Sequence, residues 1–270
     1  MTALVAITLV VAAASAFRST WSPCGLSMLS TVTPIAEAGR GHRYRWTASW
    51  FFVGALVGGA TTGAVAALLA VGVGTLDLST AATYGIAAVA AVLAAGLDGR
   101  LLGPPIPHHR RQVNEDWLGA YRAWAYGAGF GWQIGTGLAT YIMTAGVYLV
   151  IVLAALTGSP LTALLLCVAF GAFRGSMVVL GATLTSAEKL RVFHERFEAA
   201  REPVRRAVIV VEILAAVALG IAGGTGSVLA SVVAAVAVVA AGAARGAFTG
   251  AAPAPDACSV VDRAAVETTA

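Results

Sequence analysis

Three long stretches without a charged residue set the first constraint on the fold of this chain. They are residues 46–76, 123–173 and 213–244, and they contain 31, 51 and 32 residues. A helix needs only about 20 apolar residues to cross a bilayer. Charged residues make up 11% of the 270 residues, whereas soluble domains average about 25%. The sequence therefore predicts an integral membrane protein that crosses the lipid bilayer several times.

Each crossing is interpreted as a helix, because a lipid-exposed backbone has to satisfy its own hydrogen bonds. Charges and glycine or proline breaks divide the chain into seven segments. The predicted crossings are 3–21 with a second apolar piece that ends near residue 35, then 46–73, 79–97, 118–156, 161–184, 204–222 and 227–248. The predicted fold is all-α, a polytopic membrane helical bundle with about seven transmembrane helices.

The basic residues predict the orientation of the bundle. The connections after the first, third and fifth crossings, together with the end of the chain, hold 15 of the 17 basic residues. By the positive-inside rule we expect a plasma-membrane protein with its amino terminus outside and its carboxyl terminus in the cytoplasm. The charged run 188–206 is expected to be an amphipathic connector at the lipid headgroups, so no nucleic-acid partner is expected.

A weak internal repeat suggests two units of three helices. The second and fifth crossings both place glycines four residues apart, Gly54 with Gly58 and Gly171 with Gly175, a spacing that lets membrane helices approach closely. Because an odd number of crossings separates the two units, they would be inverted relative to each other. The predicted organisation is a first three-helix unit over 1–98, a cytoplasmic loop over 99–117, a second unit over 118–224 with a connector over 186–203, an extra helix over 225–248 and a disordered tail over 249–270.

The first crossing contains the segment Ser22-Pro23-Cys24. A proline inside a helix removes a backbone hydrogen bond, so a break here has to face protein or a water-filled cavity. In the predicted repeat Trp21 corresponds to Trp132, within the glycine-rich stretch of the fourth crossing. Each unit would then open with an interrupted helix. The residues alone leave Cys24 either as a small apolar filler or as a functional thiol.

This arrangement resembles the CcdA and DsbD transmembrane family of cytochrome c biogenesis and thiol-disulfide proteins, over residues 1–222. The resemblance implies a carrier of reducing equivalents from a cytoplasmic thioredoxin-like protein to an extracytoplasmic thiol protein, with Cys24 as the attacking thiol. The second motif cysteine is expected after Trp132, at the position of Gly135, and the sequence departs from the family there. Without a second sulfur a mixed disulfide is not resolved, unless Cys167 or a partner protein supplies the thiol.

Arg18 and Arg174 are the two basic residues that fall outside the basic connections, and Glu212 is the only acidic residue deep within a predicted crossing. A charge at such a depth costs at least about 2.5 kcal/mol, so these side chains are expected to face the bundle interior and find partners. We expect an ion pair between Arg174 and Glu212; the alternatives are arginines that anchor an anionic substrate, or snorkelling to the interface. Arg18 is also expected to lower the pKa of Cys24.

Two functional hypotheses follow from these residues. The first is thiol-disulfide traffic across the membrane, as the resemblance implies, and the second is a transporter or exporter of a small solute, for example an anion, on the same scaffold. The surviving Ser-Pro-Cys segment favours the first hypothesis, and the missing cysteine favours the second. No cofactor and no metal site are expected, because no carboxylate or thiol lies within ligand spacing of the "HHRR" segment at 108–111.

Overall fold

The computed structural model describes residues 2–103 and 120–245, and these residues form helices and turns without a β-strand. Six of the helices are long and apolar enough to cross a membrane, which confirms the predicted all-α membrane bundle. Most of the predicted loop 99–117 and the tail 249–270 lie outside the described residues. The helices described are α1 (Thr2–Arg18), α2 (Pro23–Thr31), α3 (Pro34–Gly39), α4 (Tyr44–Gly74), α5 (Thr80–Asp98), α6 (Ala123–Gly135), α7 (Gly146–Ala155), α8 (Pro160–Ser176), α9 (Ala187–Ala199), α10 (Arg201–Gly223) and α11 (Thr225–Ala244).

The predicted interruption of the first crossing is present, and it takes the form of a newly started helix. A 3₁₀ turn, Ser19–Trp21, extends α1, and α2 then begins with Pro23 in its first turn. Proline is favoured there because the first amides of a helix need no intrahelical acceptor. Ser22 accepts a hydrogen bond from the amide of Gly25 at 3.1 Å and so caps α2. The chain therefore changes direction here without leaving this amide unpaired.

The fourth crossing is also interrupted, and it consists of the two short helices α6 and α7. Residues 136–145 between them are not helical, and polar groups inside the bundle bond to the backbone at both ends of this segment. Thr62 Oγ1 donates to the carbonyl of Thr136 at 2.7 Å, and the amide of Ala145 donates to Asp98 Oδ1 at 2.7 Å. Burial in protein is one of the two ways in which such a break is tolerated at membrane depth, the other being a water-filled cavity. The fourth crossing is thus broken as predicted, but the break follows Gly135, and the glycine-rich stretch around Trp132 is itself helical.

Glycine seams hold α4 at the centre of the bundle. In α6, Gly127, Gly131 and Gly135 follow at intervals of four residues and contact successive turns of α4, so the two helices run parallel. On another side of α4, Gly59 faces α8, and a Cβ at Gly59 would lie 2.6 Å from the carbonyl oxygen of Cys167. Gly54 and Gly58 face α6, and Gly171 and Gly175 face α4. The prediction that these four glycines permit close helix approach is confirmed.

The remaining long helices complete the bundle around this centre. Helix α5 packs against α10, and α1 packs against α7, α8 and α10. Helices α4 and α8, the second crossings of the two predicted units, pack together, and so do α5 and α10, the third crossings. Two related units would pack in this way, but the inverted repeat itself stays a prediction. Helix α11 lies at the periphery against α5 and α10, where Ser227 Oγ donates to the carbonyl of Ala81 at 2.8 Å.

The connections that carry the basic residues meet at one end of the bundle, here called the basic end. They are joined by the contacts Tyr44 Oη to Val178 O (2.7 Å), Ser30 Oγ to His194 Nε2 (3.1 Å), Arg205 Nη1 to Asp98 O (2.9 Å) and Arg245 Nη1 to Leu101 O (3.4 Å). Trp46, Trp50 and Trp124 form an aromatic row near this end, with 5.9 Å between successive ring centroids. Tryptophan is enriched at membrane interfaces. The turns at the opposite end, 75–79 and 156–159, carry no basic residue.

The seam between α4 and α6 yields a stability prediction with a matched control. A Cβ at Gly131 would overlap the carbonyl oxygen of Phe51, whereas a Cβ at Gly72 in α4 meets no atom within 4 Å. Gly131→Ala should therefore lower the free energy of unfolding by about 1–3 kcal/mol, the usual cost of overpacking. Gly72→Ala adds the same methyl group and should leave stability unchanged or slightly higher. Thermal unfolding of both purified variants in detergent checks this. Equal unfolding midpoints for the two variants would contradict the close packing of α6 on α4.

Candidate functional site

The predicted thiol, Cys24, lies in the first turn of α2 and is 1% exposed. It is surrounded by an apolar group that we call the α2 cluster. The buried members of this cluster are Trp21, Cys24, Met28, Leu29, Val32, Phe51, Phe130, Ile134, Val178 and Phe197. The break before Pro23 therefore faces packed protein.

Trp21 joins the end of the first crossing to the connector helix α9. Its ring stacks on Phe197 with centroids 4.0 Å apart, and its Nε1 donates to the carbonyl oxygen of Phe197 at 2.7 Å. Trp132, its predicted counterpart, is 39% exposed and donates to Thr61 Oγ1 at 3.1 Å. The two tryptophans therefore occupy different environments, one buried in the α2 cluster and one at the bundle surface.

Arg174 lies near Cys24 and is almost fully buried. Its guanidinium sits 5.9 Å from the centroid of the Phe170 ring and interacts electrostatically with the Cys24 thiol. Neither Arg174 Nη2 nor either carboxyl oxygen of Glu212 has a hydrogen-bond partner among the described residues. The predicted ion pair between Arg174 and Glu212 is therefore not formed, because the two side chains face different parts of the interior.

The position expected for the second motif cysteine has no room for a side chain. A Cβ at Gly135 would overlap the backbone of Ala55 in α4. Cys167, the other candidate partner, is buried among alanines and Leu166 in a separate cluster, and no disulfide joins it to Cys24. Close packing of α6 on α4 thus requires a glycine where a dithiol relay requires a sulfur. Cys258 lies outside the described residues.

Glu212 and Arg18 belong to a buried polar group between α1, α5, α7 and α10, which we call the carboxyl cluster. Glu212 is 0% exposed, and its carboxyl group lies within electrostatic range of that of Asp98 at the end of α5. Arg18 lies within electrostatic range of Asp98, and the other charged groups near Arg18 are Arg201, Glu202 and Arg205 of α10. Arg18 was expected to act on the Cys24 thiol, but the arginine within electrostatic range of Cys24 is Arg174.

The start of α7 closes the carboxyl cluster. Thr144 Oγ1 and the amide of Ala145 both donate to Asp98. Ser15 Oγ and Glu212 Oε1 both lie against Gly146, where a Cβ would meet them. Asp98 therefore sits at a helix amino terminus with two donors, a position that favours a negative charge.

A second buried carboxylate, Glu37, lies in the short helix α3 near the basic end. Tyr126 Oη donates to its two oxygens at 2.7 and 2.6 Å, and Thr47 Oγ1 donates to Oε2 at 2.5 Å. Arg40 Nη1 donates to Oε1 at 2.9 Å, and His42 Nδ1 lies 3.8 Å from Oε2. Glu37 thus joins α3 to both α4 and α6 through a fully hydrogen-bonded carboxylate.

Sequence reasoning missed Glu37 and Asp98 as site residues. Glu37 was assigned to a basic connection, where a carboxylate is usually solvated, and Asp98 lies one residue beyond the predicted third crossing. The sequence does contain a feature that singles out Glu37. It is the first acidic residue of the chain, and it lies in the first turn of a short helix that Pro34 begins. Within the described residues, no three His, Cys, Asp or Glu side chains are placed to hold a metal ion.

Comparison with known proteins gives several similar sequences. The chain is 34% identical over 168 residues to "Methylamine utilization protein MauF" of Methylobacillus flagellatus, in an alignment that covers 61% of this chain and 58% of that protein. The similar proteins are MauF proteins. The MauF of Methylorubrum extorquens is 32% identical over 58% of this chain and 55% of its own length, and that of Paracoccus versutus is 30% identical over 58% of each.

The chain spans about half the length of the curated relatives it matches, 53–58% for the five MauF proteins. No protein-family model matches the chain, and no solved structure matches it.

These relatives correct the functional expectation. They are MauF proteins, so a CcdA- or DsbD-type carrier of reducing equivalents and a solute transporter are both wrong as functions for this chain. The packing at Gly135 agrees with the first correction. The transporter hypothesis placed a substrate cavity at the helix breaks. Two surface grooves, of about 490 and 450 Å³, lie instead along α11, against α5 and α10, and their linings are apolar. The scaffold resemblance to that family stays a prediction, and so do the thioredoxin-like and extracytoplasmic thiol partners that it implied.

The Glu37 network makes a testable contribution to stability. Glu37→Gln keeps the shape of the side chain but removes the charge that Arg40 pairs with, and its amide group would face hydrogen-bond donors. We expect the free energy of unfolding to fall by about 2–3 kcal/mol. Glu188→Gln, which alters an exposed pair with Arg191, should change stability little. Thermal unfolding in detergent measures both, and an unchanged midpoint for Glu37→Gln would show that the network is not structural.

Proposed function

We propose that this chain serves methylamine utilization as a MauF-like integral membrane protein. The observation that carries the proposal is its 30–34% identity to five MauF proteins from methylamine-using pathways, as their names state, over 55–61% of this chain. The fold supports a role within the membrane or at its surface, because the described residues consist of membrane helices and short connections. The proposal makes no use of the cysteine thiols.

Within this proposal the protein lies in the plasma membrane with its basic end in the cytoplasm, so that the amino terminus is outside and the carboxyl terminus is inside. The support is the gathering of the basic connections at one end of the bundle and the lack of basic residues in the described turns at the other end. Basic residues near membrane helices are retained on the cytoplasmic side. The tryptophan row marks the interface on that side.

The functional proposal is tested by replacing a relative with this chain. In Methylorubrum extorquens lacking its own MauF, expression of this chain should restore growth on methylamine and leave growth on succinate unchanged. Gly72→Ala should restore growth equally, and Gly135→Leu should not, because it separates α6 from α4. A wild-type chain that accumulates in the membrane without restoring growth would overturn the proposal.

The orientation is tested separately with single cysteines in a chain whose three native cysteines are replaced. A cysteine at Lys189 in α9 should react with a membrane-impermeant maleimide only after the membrane is opened, because α9 would be cytoplasmic. A cysteine at Thr75 should react in intact spheroplasts, because the turn after α4 would be outside. Both positions are exposed. The reverse labelling pattern would show that the bundle is inserted the other way.

A further inference from the structure

Two carboxyl groups face each other inside the bundle without a donor between them. Asp98 ends α5, and Glu212 lies in α10, which packs against α5. Both carboxyl groups lie at the start of α7, where Asp98 accepts from the amide of Ala145 and Glu212 Oε1 lies against the next residue, Gly146. An ionised carboxylate only accepts hydrogen bonds, so a contact between two carboxyl groups needs a hydrogen on one of them.

The donors around the pair are distributed unequally. Asp98 accepts from Thr144 Oγ1 and from the amide of Ala145, at the amino terminus of α7. Neither oxygen of Glu212 has a donor among the described residues, although the side chain is 0% exposed. A helix amino terminus and two donors favour the charged form of Asp98. Nothing comparable favours a charge on Glu212.

The charges facing the pair balance when it carries a single negative charge. The groups near it are Arg18 of α1 and Arg201, Glu202 and Arg205 of α10. Arg205 pairs with Glu202, and Arg201 pairs with Glu198. Arg18 is buried, and its Nη1 has no hydrogen-bond acceptor among the described residues. One positive charge on Arg18 then matches one negative charge on the carboxyl pair.

We propose that Asp98 and Glu212 form a buried proton-binding site, in which Glu212 holds one proton at neutral pH and donates it to the ionised Asp98. The hydroxyl of Ser15, also buried and without a partner, lies on the Glu212 side of the site. Binding and release at this pair change its charge by one, between helices α1, α5, α7 and α10. The inference rests on the carboxyl cluster alone and does not depend on the role in methylamine utilization.

Infrared spectroscopy of the purified full-length chain in lipid nanodiscs tests this directly. At pH 7 the wild-type protein should show the carbonyl stretch of one protonated carboxylic acid, shifted to lower frequency in D₂O. Incorporation of glutamate with ¹³C at the side-chain carboxyl should shift this band further, because the proton is on a glutamate. A folded wild-type protein without the band, or with a band that ignores the labelled glutamate, would overturn the proposal.

Variants and salt identify the group responsible. Glu212→Gln and Asp98→Asn each place an amide donor at the contact and should abolish the band, whereas Glu37→Gln, which alters the other buried carboxylate, should retain it. Size-exclusion profiles show which variants are folded. If neither carboxyl variant folds, the ¹³C shift of the band in the wild-type protein still shows whether a glutamate carries the proton. Loss of the wild-type band on addition of Na⁺ at constant pH would show a metal-cation site and overturn the assignment of a proton.

Discussion

The hydrogen-bonding demand of the backbone in a solvent that offers no partners governs this structure. Both interrupted crossings meet that demand inside the protein. At the first break Ser22 caps the new helix, and at the second Thr62 and Asp98 take up groups that α6 and α7 leave free. Hydroxyls and a carboxylate therefore stand where a continuous helix would have needed only apolar residues. The polar side chains of the interior are in large part a consequence of its broken helices.

The two buried carboxylate sites solve the same problem differently. Glu37 collects donors from a tyrosine, a threonine and an arginine, so its charge is fully compensated by neighbours. Glu212 has no such donor among the described residues, and the carboxyl group of Asp98 lies near it. A fully satisfied carboxylate makes the fold rigid, whereas a carboxyl pair in which one member lacks donors changes state with its proton. The first lies in the connection before α4, and the second lies between α1, α5, α7 and α10, where the end of α5 meets Arg205.

The sequence was sufficient for the fold class and the broken helices, because apolar length and proline or glycine breaks are local properties of the chain. It was insufficient for the partners of the buried ionisable groups. Glu212 faces Asp98 and not Arg174, since α10 packs against α5. Which helices are neighbours cannot be read from the residues of one helix alone. The family resemblance placed a cysteine at residue 135, but the contact with Ala55 that closes this position is a tertiary feature. The functional expectation was wrong because it relied on one short motif.

The glycine seams around α4 limit how this protein can vary. At Gly131, Gly135 and Gly171 even one added carbon collides with the backbone of the facing helix, whereas the exposed apolar positions of α11 face lipid and accept almost any hydrocarbon side chain. Divergence should therefore accumulate on the outside of the bundle. Distant members of this lineage are then better recognised by the spacing of their glycines than by overall identity.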